Sequence, residues 1–254
     1  ILARKGTPLD GTAPTLIYGY GGYGLGERPG FAVRRRVWFD QGGIYVVAHV
    51  RGGNEFGDAW HTAGNLTRKQ NVFDDFAACA QWLVDHRFTS PARFACQGGS
   101  NGGILMGAMI TQHPALFRAV VSSVGVYDML RSETEPNGLF NTTEYGSTKD
   151  AAQFAALYAY SPYHRVVDGT AYPAVLLPTG ANDPRVDPMQ SRKMCARLQA
   201  ATNSGLPVLL RAEAGTGHVG TPLKARNELT ADIYSFLFAQ LGVDNRTELV
   251  TVLR

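Results

Sequence analysis

Six short stretches rich in β-branched and aromatic residues recur along the chain, at 15–18, 44–50, 93–96, 119–123, 174–178 and 208–213. Most are apolar at nearly every position, and a strand reads that way when both its faces are buried in a parallel sheet. Helical patterns lie between them. Phe73, Phe76, Ala77, Ala80 and Leu83 fall on one helical face, with Asn71 placed to cap its start, and further helices are predicted over 104–112, 189–200 and 224–241. Alternating strands and helices predict an α/β architecture, a mostly parallel central sheet with helices on both faces. In such sheets function collects beyond the carboxyl ends of the strands.

Composition narrows the picture without redirecting it. With 254 residues, 44% of them hydrophobic, the chain is long enough for a substantial core, and no linker, charge block or repeat divides it. A single domain over 1–254 is expected. The net charge is only +3, and the one basic run, Arg34 to Arg36, sits inside a helical pattern, so it reads as a solvated face and not as a nucleic-acid patch. No apolar segment approaches the roughly 18 residues of a membrane span, and no charged-then-apolar leader opens the chain. Neither nucleic acid nor membrane is expected as a partner. A cytoplasmic location is favoured, with the periplasm or secretion as alternatives. Cys79, Cys96 and Cys195 are odd in number and far apart, so they read as small buried hydrophobes, with no disulfide framework or metal site. Ile1 is not a methionine, and Leu2 to Lys5 reads like the end of a strand already under way. A piece of a longer polypeptide is expected.

One stretch carries chemistry outright. Gly98-Gly99-Ser100-Asn101-Gly102 spells G-x-S-x-G between a predicted strand and a predicted helix, the setting of a nucleophile elbow. Glycines two before and two after the serine let strand and helix approach without Cβ clashes, while Ser100 takes a strained backbone conformation at the apex. Its hydroxyl would stand at the amino end of a helix, where the dipole and the Asn101 N–H favour developing negative charge. The bland alternative is a glycine turn that only packs a helix on a strand.

A serine hydroxyl needs a base and an acid, which in this architecture follow it in the order Ser, Asp or Glu, His. Of the histidines after Ser100, His113 lies at the far end of the elbow helix and His164 precedes any acid at a strand end. His218 alone lies beyond the last strand, in a glycine loop. Asp183 follows the strand 174–178, whereas Asp187 precedes Pro188 at a helix start and reads as a cap. The expected triad is therefore Ser100, Asp183 and His218.

Gly19-x-Gly21-x-x-Gly24 has the spelling of a dinucleotide fingerprint, but no helix opens at once and the next strand ends in Arg51 in place of an acid. The nucleotide reading is rejected. In a hydrolase the same loop supplies one donor of the oxyanion hole, from Tyr20 or its neighbours.

Together these residues resemble the prolyl oligopeptidase family of serine peptidases. The likeness runs through Tyr18-Gly-Tyr-Gly-Gly, Arg51-Gly-Gly with Glu55 and Gly57, Gln70-Asn71 with Asp74-Asp75-Phe76, the elbow, Val124-Gly-Val with Asp128-Met-Leu, Tyr145-Gly146, Ser161-Pro162, Asp183 with Arg185-Val186, and Gly217-His218. The resemblance implies an α/β-hydrolase fold and the same triad. It implies the Tyr20 hydroxyl and Asn101 N–H as the oxyanion hole, and Arg185 as the cation that holds a substrate carbonyl. It implies a proline-accepting pocket of Tyr23, Val126, Tyr145 and Val186. It also implies a β-propeller elsewhere in the polypeptide, short peptides as substrates, and no metal or organic cofactor. Where the family stacks a tryptophan on the proline ring, this chain has Asn141, which predicts a roomier, more polar pocket with relaxed proline preference. An esterase or isopeptidase on the same triad, or a catalytically silent binding domain, stand as rivals.

Overall fold

The computed structural model describes residues 1–28, 30–218 and 222–244. Six strands, β1 (Thr15–Tyr18), β2 (Ile44–Val47), β3 (Phe94–Gly99), β4 (Ala119–Ser123), β5 (Ala174–Gly180) and β6 (Val208–Glu213), form one sheet in the order β2-β1-β3-β4-β5-β6, every pair parallel. The helices between them are α1 (Arg35–Asp40), α2 (Asp58–Thr62), α3 (Gln70–Asp85), α4 (Asn101–Gln112), α5 (Gly138–Tyr145), α6 (Ala151–Tyr160), α7 (Pro162–Arg165) and α8 (Met189–Ala201), and α9 (Leu223–Gln240) follows β6. Among the described residues no helix is long and apolar enough to cross a membrane.

Strand side chains alternate between two cores, as the pleat requires. Ile17, Cys96, Val120 and Val175 point into one, closed by Phe73 and Phe76 of α3, Ile104 and Met109 of α4, and Met194 and Leu198 of α8. Leu16, Ala95, Val121 and Leu176 point into the other, closed by Trp38 of α1 and Phe236 and Leu237 of α9. Burying a side chain such as Phe73 or Phe76 contributes about 1.5–3 kcal/mol. This two-sided burial is why the central strands are apolar through their middles, with their polar residues, Thr15, Gln97, Ser122, Ser123 and Thr179, toward the ends. β6 departs from the expectation: Leu209 is 45% exposed, and among the described residues this strand has β5 as its one neighbour.

Two local expectations fare differently. Asn71 does not cap α3: it lies inside the helix and its Nδ2 donates to the Ala63 carbonyl at 2.8 Å, pinning α3 to the end of α2. Asp187 does serve structure, since its carboxylate accepts from the Met189 N–H at 2.8 Å at the start of α8. Of the cysteines, Cys96 and Cys195 are buried and Cys79 is half-buried, all three free. The arginine run does face water, with Arg36 paired to Asp40 one turn on and the Arg35 guanidinium 4.4 Å from the Tyr45 ring centre. Leu2 forms a single antiparallel bridge to Tyr45 on the edge strand β2.

Strand order fixes where the site must lie. The chain leaves β1 for β2 on one side and returns to β3 on the other, so the loops after β1 and β3 diverge from adjacent strand ends. That divergence opens the crevice in which open α/β sheets hold their ligands.

Candidate active site

Ser100 sits at the tip of β3, at φ 56° and ψ −120°, in the position just before α4, with no side-chain hydrogen bond to the helix. A serine pays for this left-handed conformation with about 1–3 kcal/mol. The surroundings impose it. A Cβ on Gly98 would stand 2.5 Å from the Gly102 carbonyl oxygen, and one on Gly102 would stand 2.8 Å from that of Gly19. Strand, helix and the loop after β1 therefore meet backbone to backbone at the elbow. The Ser100 N–H is fixed by the Ser123 carbonyl at 2.8 Å, which ties the turn to β4. Asn101 opens α4, where a backbone N–H has no acceptor within the helix.

The three residues named for the triad converge. His218 Nε2 lies 3.0 Å from Ser100 Oγ, and its Nδ1 lies 2.7 Å from Asp183 Oδ2. With Nδ1–H donated to Asp183, Nε2 is left as the acceptor for the serine proton. Asp183 follows β5, and its other oxygen accepts the backbone N–H groups of Arg185 at 2.9 Å and Val186 at 3.1 Å. Burial by itself would raise this carboxyl, but the hydrogen bonds from His218, Val186 and Arg185 prevail and hold it below the usual carboxylate range. It stays an anion beside the imidazole. His113 caps the far end of α4, and His164 lies beside Ser161 and Asp128, away from the cleft.

A cleft of about 580 Å³ opens beside Ser100. Tyr20 and Arg185 line it with the serine. Burial pushes the Tyr20 phenol above its ordinary range, opposed by a hydrogen bond with Ser100, so the hydroxyl remains a donor. Asn101 contributes more than a backbone N–H: its side-chain Nδ2 donates to the Tyr20 carbonyl at 2.6 Å and pins the loop after β1 to the elbow.

Tyr23, Val126, Asn141, Tyr145 and Val186 line the same cleft, so every residue named for the pocket is brought there. Tyr23 meets Tyr145 edge-on with ring centroids 5.8 Å apart, and its hydroxyl donates to Asn141 Oδ1 at 2.8 Å. Asn141 is thus buried and engaged with a pocket tyrosine. Phe140, which sequence reasoning missed, stacks on Tyr23 at 5.8 Å and within 4° of parallel, and Leu25 and Asn137 complete the lining. The signal was present: an aromatic residue stands one position before the asparagine that replaces the expected ring. The dinucleotide decoy lacks its helix, since α1 starts only at Arg35. Arg51, which stands where the fingerprint needs an acid, forms a two-pronged ion pair with Asp75 of α3.

The parallel sheet, its switch point and the strained serine turn define an α/β-hydrolase fold with a serine-centred site. The model of the prolyl oligopeptidase family matches residues 29–244, and the chain belongs to that family, whose members are serine hydrolases. It is 40% identical over 244 residues to a prolyl endopeptidase of Elizabethkingia miricola, covering 95% of this chain and 35% of the relative. A solved prolyl endopeptidase structure superposes with a TM-score of 0.94 at 46% identity, covering 95% of this chain and 36% of that one. Oligopeptidase B from Leishmania major follows at 0.91 and 30% identity, with 95% and 34% covered. The chain therefore spans about a third of the length of the relatives it matches.

Proposed function

We propose that residues 1–254 form the catalytic domain of a longer serine peptidase that cleaves short peptides through an acyl-enzyme, with a relaxed preference for proline before the cleaved bond. The Ser100–His218–Asp183 relay at the wall of the cleft carries this reading. Ser100 Oγ attacks the scissile carbonyl as His218 Nε2 takes its proton. The Tyr20 hydroxyl and the Asn101 N–H receive the oxyanion, and the imidazolium is stabilised by Asp183. His218 then gives the proton to the departing amine, deprotonates a water that attacks the acyl carbon, and returns that proton to Ser100. Arg185, exposed at the cleft edge, holds a substrate carbonyl.

Relaxed proline preference is supported by Asn141, which places an amide where the family stacks a ring, and by the open volume of the cleft. A β-propeller elsewhere in the polypeptide accords with the third of its relatives' length that this chain spans. Free cysteines accord with a reducing, cytoplasmic compartment. The test is labelling of Ser100 by a fluorophosphonate, followed by parallel assays on a prolyl amide, a prolyl ester and a simple acyl ester. Labelling with amide cleavage that Ser100→Ala abolishes is expected. Ester cleavage without amide cleavage would establish an esterase, and no labelling of folded protein would establish a silent domain.

A further inference from the structure

Lys69 and Glu144 are buried together, each about 1% exposed, beneath the cleft. Lys69 Nζ donates to Glu144 Oε1 at 2.8 Å and to the Gly21 carbonyl at 2.9 Å, and it lies 5.4 Å from the Tyr145 ring centre. The second Glu144 oxygen is 2.9 Å from Nε2 of His61, which is 27% exposed. Gly21 adopts φ +63° in the loop after β1, between Tyr20 and Tyr23. Glu144 belongs to α5, beside Tyr145 and three residues after Asn141. The network therefore joins the segment that carries Tyr20 and Tyr23 to the helix that carries the other side of the pocket.

Stability alone does not account for such a pair. Desolvating two ions costs several kcal/mol each, and an apolar pair of similar volume is often as stable or more so. An apolar pair would not hold the Gly21 carbonyl, whose direction sets the loop.

We propose that Lys69 and Glu144 are positioning residues of the peptidase site, tying the loop after β1 to α5 so that the Tyr20 hydroxyl and the pocket rings keep their spacing. The inference rests on the serine-peptidase reading above. The tether works at a distance from the reacting atoms, through the Gly21 carbonyl at one end and the turn of α5 at the other.

The experiment compares the full protein with its Lys69→Met/Glu144→Leu double variant, in which no buried charge is stranded. Thermal melting should remain close to the parent, while kcat/KM on a prolyl amide falls about 10- to 100-fold, the scale of a displacement of about 1 Å at a reacting site. Tyr20→Phe should cost far less in this background than in the parent, because the phenol is no longer aimed. Fluorine spectra of 3-fluorotyrosine protein, assigned with Tyr20→Phe and Tyr23→Phe, should show both resonances shifted or broadened. Glu144→Gln, which keeps the shape and removes the charge, should move the same resonances by less. Unchanged resonances in a folded double variant, or losses from Tyr20→Phe that multiply fully with the tether loss, would overturn the inference. Moving resonances in a protein whose parent neither labels at Ser100 nor cleaves peptides would sustain the tether and sink only the peptidase reading.

Discussion

Phe140→Ala isolates the aromatic wall that this pocket does possess. The ring lies nearly parallel to Tyr23 with centroids 5.8 Å apart, yet Phe140 is 60% exposed. Little folding energy depends on a ring so open to water, and melting should change by no more than a degree or two. On the peptidase reading proposed above, what is lost is a surface for the substrate side chain. An aromatic contact is worth about 0.5–1.5 kcal/mol beyond its buried area. At about 1.4 kcal/mol per tenfold, KM for a peptide with proline at the cleaved bond should rise roughly 2- to 12-fold. The serine, histidine and aspartate are untouched, so kcat should hold, the signature of binding lost equally from ground and transition states. Initial rates on matched amides with proline, alanine and phenylalanine before the bond measure both parameters. Alanine, too small to reach the ring, should respond least. Equal KM values in parent and variant for proline and phenylalanine would refute the wall, and so would a fall in kcat at constant KM.

Asp183→Asn should lower kcat by about 10⁴-fold, because the amide favours the wrong imidazole tautomer. Melting at neutral pH should fall modestly, since the side-chain oxygen still accepts the Arg185 and Val186 amides while the stabilisation carried by the charge is lost, and circular dichroism with steady-state rates checks both. Gly102→Ala places a methyl 2.8 Å from the Gly19 carbonyl oxygen. Overpacking of about 1–3 kcal/mol should lower Tm by several degrees and cut kcat/KM, measured by calorimetry and amide hydrolysis. The pH dependence follows from the lowered Asp183 carboxyl. A group whose folded pKa is depressed stabilises the fold above its unfolded pKa of about 3.9, and that stability is lost as pH falls through the folded value. Urea midpoints should therefore decline below about pH 4 in the parent and decline less in Asp183→Asn.

Much of this was legible because the chemistry of the elbow is local. Gly98, Ser100 and Gly102 are neighbours in sequence, and the strands were betrayed by two-sided burial. Where the reading slipped, tertiary packing had outweighed local preference. The helix after the elbow begins at Asn101, three residues before the expected start, because Gly102 and Gly103 are helical where no side chain fits: a Cβ on Gly103 would stand 2.3 Å from the Gly125 Cα. Asn71 looked like a cap because capping residues are recognised by type, while its Ala63 partner comes from a different element. The Lys69–Glu144–His61 network left no trace in the pattern, since buried ions spaced 75 and 83 residues apart read like any surface charges. Beyond its place beside Asn141, Phe140 has no sequence signature of its own, because its ring reaches the cleft only by stacking on Tyr23, 117 residues away in the chain.

Asp183 is held by the backbone amides of residues 185 and 186, whereas the side chains of the same two residues face the cleft. One short turn thus serves two masters through different atoms. Any residue with an N–H can keep the carboxylate in place, so the exposed side chain at 185 can be exchanged while the turn still holds Asp183, whereas Val186 is packed into the core and tolerates only apolar residues of similar size. For anyone wishing to retarget this scaffold, position 185 is where the cleft edge can be rewritten through the side chain alone, with proline the one residue to avoid.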